Sequence, residues 1–120
     1  MICKPLKVIT MYTNFARVIE ALNKGGYAWR NEWNAKGENK VIIKQIPQCI
    51  GKDIVPKMTS LPETIKPMIG TIGNGEISYH DQVLQIVLTD DEKTPANATY
   101  YIPTWEDIFA EDWGVAIPAE

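Results

Sequence analysis

The segment NFARVIEALNKGGYAWR, residues 14–30, combines a helix signal, a glycine pair and a strand signal. Four apolar residues recur at the spacing of one helical face: Phe15, Val18, Ile19 and Leu22. Asn14 or Thr13 can cap the helix start. Gly25-Gly26 can end the helix because glycine accepts the left-handed turn that follows it. The segment predicts a helix over Asn14–Leu22 and a short strand over Tyr27–Arg30.

Further strands are predicted on both sides of the chain centre. The β-branched run Lys40–Ile46 predicts a strand, and Glu76–Thr89 predicts a strand pair or one long bent strand. Thr99–Ile102 and the closing WGVAI, residues 113–117, are also typical of extended segments.

The region 47–75 is irregular and rich in proline and glycine. Within it, Ser60 and Glu63 form a capping pattern with Pro62 near the helix start. Pro67 should limit that helix to about two turns, because an interior proline removes a hydrogen bond. We expect short helices in a surface insertion here.

The stretch YIPTWEDIFAEDWGV, residues 101–115, groups aromatic and acidic side chains. Thr104 with Asp107 resembles a capping box, which predicts a helix from Thr104 to near Asp112. Acidic side chains in the first turn are favoured by the helix dipole. We therefore interpret the four carboxylates of this stretch as the solvated face of one short helix.

Composition and charge limit the function classes. The chain has 120 residues, 45% hydrophobic and 22% charged, which suits one globular domain. A net charge of −3 and a pI near 5.2 argue against a nucleic acid polymer or an anionic membrane as partner. No apolar run approaches a membrane span, and the first residues lack signal-peptide features. We expect a cytoplasmic setting with reduced cysteines, although a disulfide between Cys3 and Cys49 is open.

Catalytic and metal motifs are missing from the sequence. The single histidine, His80, lies in a predicted strand, and the sequence holds no HExxH, CxxC pair, P-loop or GxSxG. We therefore expect a protein that is not an enzyme, with no cofactor and no metal.

The segment WRNEWNAKGE, residues 29–38, offers binding chemistry instead. Tryptophan faces stack on nucleobases, and arginine and lysine pair with phosphate oxygens. Asparagine can both donate to and accept from a base edge or a ribose hydroxyl. These types suit a small nucleotide. The alternative is that Trp29 and Trp33 are core residues and that the charges are solvated.

Two segments together resemble the Thoeris anti-defence type 2 family of phage proteins: NFARVIEALNKGGYAWRNEWNAKG and, after an insertion, YIPTWEDIFAEDW. The resemblance implies an α+β fold, with an N-terminal helix packed on a small antiparallel β-sheet. It also implies homo-oligomers, commonly tetramers of paired dimers, in the host cytoplasm. Such proteins sequester a cyclic ADP-ribose isomer, glyco-cyclic ADP-ribose, without cleaving it, and some relatives hold cyclic di- or trinucleotides.

The resemblance also implies ligand-binding residues. The matching positions are Phe15, Arg30, Trp33, Asn34, Lys36, Thr104, Trp105 and Asp107. Adenine would stack on Trp33 or Phe15, and the pyrophosphate would meet Arg30, Lys36 or N–H groups near Thr104. Asp107 would accept from ribose hydroxyls or hold its turn in shape.

This chain departs from the family pattern at two places. Ala35 replaces a glycine of the turn, and Thr104-Trp105 replaces Ser-Gln, which adds an aromatic and shifts selectivity toward stacking if position 105 lines the pocket. Trp113 is expected in the core. We expect one domain over 1–120, with residues 1–10 as an N-terminal extension that adds a strand and 47–75 as an insertion. Two other functions stay open: an interaction protein of a phage or mobile element without a small ligand, and a cyclic nucleotide hydrolase.

Overall fold

The computed structural model describes residues 6–46, 48–91 and 93–119, and its first element is a strand. Strand β1 (Leu6–Thr13) precedes helix α1 (Phe15–Asn23), so the prediction of a helix at the N-terminal end of the fold is wrong. The α+β class with an antiparallel sheet is confirmed. Residues 1–5, including Cys3, and Pro47 lie outside the described residues.

The remaining elements follow in chain order. They are β2 (Tyr27–Arg30), α2 (Asn31–Ala35), β3 (Lys40–Gln45), β4 (Gln48–Ile50), a 3₁₀ turn (Val55–Lys57), α3 (Lys66–Ile72), β5 (Ile77–Tyr79), β6 (Gln82–Val87), β7 (Asn97–Tyr100), α4 (Trp105–Phe109) and β8 (Trp113–Pro118). The chain divides into two compact units, Met1–Gln45 with Gln82–Glu120 and Ile46–Asp81. The prediction of one domain with an insertion at 47–75 stays a prediction.

The larger unit is an antiparallel sheet in the order β1-β8-β2-β3-β6-β7, counted over the described residues. Helix α1 packs on β8, β2 and β3. Its N-cap is confirmed, because Asn14 Oδ1 accepts from the N–H of Arg17 at 3.2 Å. Gly25, with φ of 84°, makes the left-handed turn after the helix.

The core lies between α1 and the sheet. Val18 and Leu22 of α1 are buried against Ala28, Ile42 and Trp113 of the sheet. On the opposite face Gly114 leaves room for Trp29, since a Cβ at position 114 would overlap the indole. Trp29 and Trp33 are both buried in this unit, with exposures of 8% and 6%.

The smaller unit, Ile46–Asp81, pairs β4 with β5 and buries Val55. Its helix begins at Lys66 rather than near Ser60, so the helix predicted from the Ser60 capping pattern is wrong. The physical reason is that Pro67 occupies the first turn, where its missing N–H costs nothing. Cys49 is exposed, and its Sγ lies 3.2 Å from Glu76 Oε2.

Candidate functional site

Arg30 ends β2 and its guanidinium is surrounded by carboxylates, although only 8% of the residue is exposed. Its Nε donates to Asp112 Oδ1 at 2.9 Å and its Nη1 donates to Asp107 Oδ1 at 3.0 Å. Nη2 lies 2.9 Å from Glu32 Oε2, and Nη1 lies 3.7 Å from Glu106 Oε1. All three nitrogens of the guanidinium are therefore engaged within this unit. We call these five residues the Arg30 cluster.

The charges of the Arg30 cluster stabilise one another. Burial alone would lower the pKa of Arg30, but the hydrogen bonds to Asp112 and Asp107 outweigh it and raise that pKa. Burial would likewise raise the pKa of Asp112, yet Arg30 and the N–H of Glu32 hold it below its ordinary value. The guanidinium and this carboxylate thus stay ionised together.

Asp112, the residue before β8, also bonds to the junction where β2 ends and α2 begins. Its backbone carbonyl accepts from the N–H of Asn31 at 3.0 Å and from Asn31 Nδ2 at 2.9 Å. Its Oδ2 accepts from the N–H of Glu32 at 2.9 Å. Asn31 Nδ2 also donates to the carbonyl of Met11 in β1. The short helix α2 therefore begins at a position fixed by Asp112.

Asp107 fixes the second short helix, α4, in the same way. Its N–H donates to the N-cap Thr104 Oγ1 at 3.1 Å, which confirms the predicted cap. Its Oδ2 accepts from the Tyr101 hydroxyl at 2.7 Å, and its carbonyl accepts from Trp113 Nε1 at 2.8 Å. Burial first, and then the bond to Asp107, raises the pKa of the Tyr101 phenol. Two roles are predicted for Asp107, and these contacts fit the one in which it holds its turn in shape.

An aromatic cluster lies beneath both short helices. Trp113 meets Trp33 edge to face at 5.4 Å and Phe15 at 5.6 Å between ring centroids. Tyr101 lies 6.3 Å from Trp33, and Lys40 Nζ lies 4.6 Å from the Trp33 ring centroid. Phe15 and Trp33 therefore both contact Trp113. Trp113 is fully buried, as expected.

The exposed aromatic surface of this region is on α4. Trp105 and Phe109 stack on one another with centroids 5.6 Å apart and planes inclined by 21°. They are 72% and 74% exposed, one helical turn apart. Exposed tryptophan with free ring area is a surface on which a nucleobase or another ring can stack.

Asn34 and Lys36 lie on the solvent side of α2. Lys36 Nζ pairs with Glu32 Oε1 at 3.1 Å, and this bond raises the pKa of Lys36. Asn34 borders a groove of about 490 Å³ with Trp29, Asn39 and Lys40. Alternation along β2 and β3 places this groove on the sheet face away from α1.

Of the eight predicted site residues, the fold brings Arg30, Thr104 and Asp107 into one set of contacts and Phe15 and Trp33 into another. Trp105, Asn34 and Lys36 are exposed. Their roles in ligand binding stay predictions. The interpretation of four carboxylates on one solvated helix is wrong, because α4 ends at Phe109 and Asp112 lies beyond it, facing Arg30.

Sequence reasoning missed four members of this region as site residues: Glu32, Tyr101, Glu106 and Asp112. Glu32 follows Arg30 by two residues, and Asp112 precedes the buried Trp113. The available signal was the charge balance, since the closing stretch has four carboxylates and no cation of its own. The cation that pairs with these carboxylates is Arg30, which is buried and lies far away in the sequence.

Comparison with known families gave a match over most of the chain. The family model of the Thoeris anti-defense 2-like domain matches residues 13–116, which include the Arg30 cluster and both short helices. The chain belongs to the Thoeris anti-defense 2-like family. The resemblance drawn from the two motifs is thereby confirmed. A search of curated proteins gave no significant match.

Membership makes the chain a Thoeris anti-defence protein of a family that is not known as catalytic. Over residues 6–46, 48–91 and 93–119, no three His, Cys, Asp or Glu side chains are grouped to hold a metal ion. In the same described part of the chain, no helix has the length and apolarity to cross a membrane.

Proposed function

We propose that this member of the Thoeris anti-defense 2-like family captures a cyclic nucleotide immune messenger and holds it without cleavage. Glyco-cyclic ADP-ribose is the first candidate, and cyclic di- or trinucleotides are the second. The observation that carries the proposal is the family match over residues 13–116. In this proposal the protein acts in the host cytoplasm, where such a messenger would reach it.

The exposed pair on α4 supports a stacking role for this surface. Trp33 is 6% exposed within the chain, whereas Trp105 presents 72% of its surface. A purine of the messenger would therefore stack on Trp105 and Phe109, while Phe15, Trp33 and Trp113 support the helices from below. Stacking of one base on an aromatic contributes about 1–3 kcal/mol.

The charges around α2 support different roles for Arg30 and Lys36. The guanidinium of Arg30 already contacts four carboxylates, whereas Lys36 has one partner, Glu32, and is largely exposed. Lys36 can therefore turn to a phosphate of the messenger at low cost. Arg30 holds the surface in shape.

Sequestration rather than hydrolysis is favoured by the state of Asp112. Burial would raise the pKa of Asp112, but Arg30, at 2.9 Å, and the N–H of Glu32 hold that pKa below its ordinary value. A general base needs a pKa near the working pH, so Asp112 is poorly suited to that role.

Self-assembly is supported by the sheet face away from α1. Most positions that pair across β2, β3 and β6 on this face are apolar, as are neighbouring β1 residues and the residue after β6. The apolar set is Val8, Met11, Tyr27, Trp29, Val41, Ile43, Leu84, Ile86 and Leu88. The pair Gln45–Gln82 at one end of the face is polar, and so are Asn34, Asn39 and Lys40, which also line its groove. Absence of charge is typical of the centre of a subunit interface. We propose a homo-oligomer, a tetramer as the family resemblance implies, in which this face contacts a second copy.

The deciding experiment incubates the protein with glyco-cyclic ADP-ribose, removes free ligand and then denatures the protein by heat. Release of intact messenger supports the proposal, and release of a cleavage product would identify a hydrolase instead. Messenger that stays free throughout would favour an interaction protein. Light scattering of the protein before it is heated should give at least twice 13.5 kDa, and a monomer mass would contradict the assembly.

A variant pair tests the surface. Trp105→Ala should weaken messenger binding by about 5- to 150-fold, the equivalent of one stacked base. Tyr12→Ala removes another exposed aromatic, on β1, and serves as the matched control with parent affinity expected. Equal affinity of Trp105→Ala and the parent would place the stacking surface elsewhere.

A further inference from the structure

A second cleft, of about 380 Å³, lies on the α1 side of the sheet between α1 and strands β1 and β8. We call it the α1–β1 cleft. Its polar lining is Thr10, Thr13, Arg17, Glu20 and Lys24. None of these residues belongs to the Arg30 cluster or to the proposed stacking pair.

The floor of the α1–β1 cleft is apolar. Ala21 of α1 and Val115 of β8 are buried, and Ile117 of β8 is half-buried beside them. A ligand in the cleft would therefore need an apolar or ring-shaped body as well as a polar group. Pockets for small ligands commonly combine such a floor with a few polar groups at the rim.

The pairing of β1 with β8 is irregular beside the α1–β1 cleft. Leu6 to Val8 pair with Pro118 to Ala116 in continuous register, but the register shifts between Val8 and Thr10 and again between Thr10 and Thr13. Such irregularities bend a strand and redirect its side chains, often beside a binding site. Here Thr10 and Thr13, the residues at these shifts, both line the cleft.

The rim carries more positive than negative charge. Arg17, Glu20 and Lys24 follow one side of α1 at spacings of three and four residues, and Glu20 contacts both cations, at 3.0 and 3.5 Å. The hydrogen bond from Arg17, and then that from Lys24, lowers the pKa of Glu20. All three side chains are exposed, and exposed pairs of this kind exchange partners readily.

We propose that the α1–β1 cleft binds a small organic anion, in which one phosphate or carboxylate group is attached to an apolar body. Arg17 and Lys24 would pair with the anionic group, and the hydroxyls of Thr10 and Thr13 would donate to it. The apolar body would cover Ala21 and its neighbours on β8. This is a ligand site beyond the messenger surface, and residues 6–12 of β1 precede the segment that matches the family model.

Phenyl phosphate is a suitable probe because it joins a dianion to an apolar ring. Titration into ¹⁵N-labelled protein should shift the backbone amides of Thr10, Thr13 and Arg17. Phenyl phosphate should bind more tightly than inorganic phosphate or phenol alone, since only the joined molecule reaches both rim and floor. Shifts confined to other residues would overturn the proposal.

Variants separate this cleft from general attraction of anions. The double variant Arg17→Gln with Lys24→Gln should bind phenyl phosphate about tenfold more weakly, because two exposed charge pairs with the ligand are lost. Lys57→Gln, which removes an exposed cation from the smaller unit, should bind like the parent. Thr10→Val, which keeps the side-chain shape, should weaken binding without disturbing the fold. Equal loss in the Lys57 control, or none in the double variant and Thr10→Val, would refute a specific site.

The messenger provides an independent check. Glyco-cyclic ADP-ribose at saturation should leave phenyl phosphate binding unchanged, since the two surfaces use different residues. Competition would mean that both ligands use the same site. That result would overturn this inference and leave the proposed function intact. If the protein binds phenyl phosphate but does not bind the messenger, the proposed function fails and this inference stands.

Discussion

Replacing Arg30 with methionine should destabilise the larger unit strongly, because the change leaves its carboxylates without their cation. Breaking a buried ion pair from one side costs about 3–5 kcal/mol. Asp107 and Asp112 keep side-chain exposures of 14% and 26%, so water recovers part of this loss. We expect the free energy of unfolding to fall by about 2–4 kcal/mol. For a chain of this length, that lowers the melting temperature by roughly 10–20 °C.

The difference in stability between the parent and Arg30→Met should depend on pH, in a direction that follows from Asp112. In the parent, Arg30 and the N–H of Glu32 overcome burial and hold the pKa of Asp112 below its ordinary value. That stabilisation is present above the unfolded-state pKa, about 3.9, and is lost as the pH falls through the lower folded-state pKa. In Arg30→Met the burial remains without the cation, so the folded-state pKa rises and protonation relieves the penalty. The stability difference between parent and variant should therefore narrow from pH 7 to pH 4.

Tryptophan fluorescence during urea unfolding is a direct assay, because all four tryptophans lie in the unit that holds Arg30. Arg17→Met is the matched control: it removes an arginine from an exposed pair with Glu20 and should leave the unfolding curve unchanged. The reasoning fails if Arg30→Met unfolds at the parent's urea concentration. It fails equally if the difference is the same at both pH values.

Four further outcomes are expected. Gly114→Ala should lower the free energy of unfolding by about 1–3 kcal/mol in urea titrations, because the new Cβ overlaps the indole of Trp29. Asn14→Ala removes the N-cap of α1 and should cost about 1 kcal/mol by the same assay, with circular dichroism showing a frayed helix. Trp33→Ala should cost about 3–5 kcal/mol in thermal unfolding, since it empties the core beneath both short helices. Glyco-cyclic ADP-ribose at about 100 times its Kd should raise the free energy of unfolding by about 2.7 kcal/mol, and no rise in melting temperature would count against capture.

Local signals in the sequence were sufficient for much of the larger unit. The spacing of apolar residues and the Asn14 cap predicted α1, and Tyr27–Arg30 is the strand as predicted. Thr104 caps α4 through Asp107 as the pattern indicated. These features depend on residues within four positions of each other, so a single stretch of sequence contains the whole interaction.

Contacts between distant residues were beyond the same reasoning. Arg30 is 77 residues from Asp107 and 82 from Asp112, so neither pairing is visible in the sequence. Trp33 and Trp105 stand in similar polar surroundings along the chain, yet one is buried and the other exposed. Their environments are decided by which side of the core each short helix meets.

Proline gave a further ambiguity in the smaller unit. Pro62 and Pro67 both fit the first turn of a short helix, and the capping pattern at Ser60 favoured the first of them. The helix uses Pro67 instead, after a turn at Glu63–Ile65. Lys66 is the residue that local reasoning overlooked: its Nζ donates to Glu63 Oε1 at 2.6 Å and to the carbonyl of Pro56 at 2.9 Å.

The Arg30 cluster also bears on how a messenger would be held. Helix α4 has five residues, too few to be stable without tertiary support. Its support is Asp107, whose carboxylate binds Arg30 and Tyr101 and whose carbonyl accepts from Trp113. A stacking surface on α4 is therefore fixed before any ligand arrives, and a fixed surface binds with a smaller loss of conformational entropy. Under the proposed function, Arg30 would strengthen capture and slow release without touching the ligand, because it fixes the position of α4.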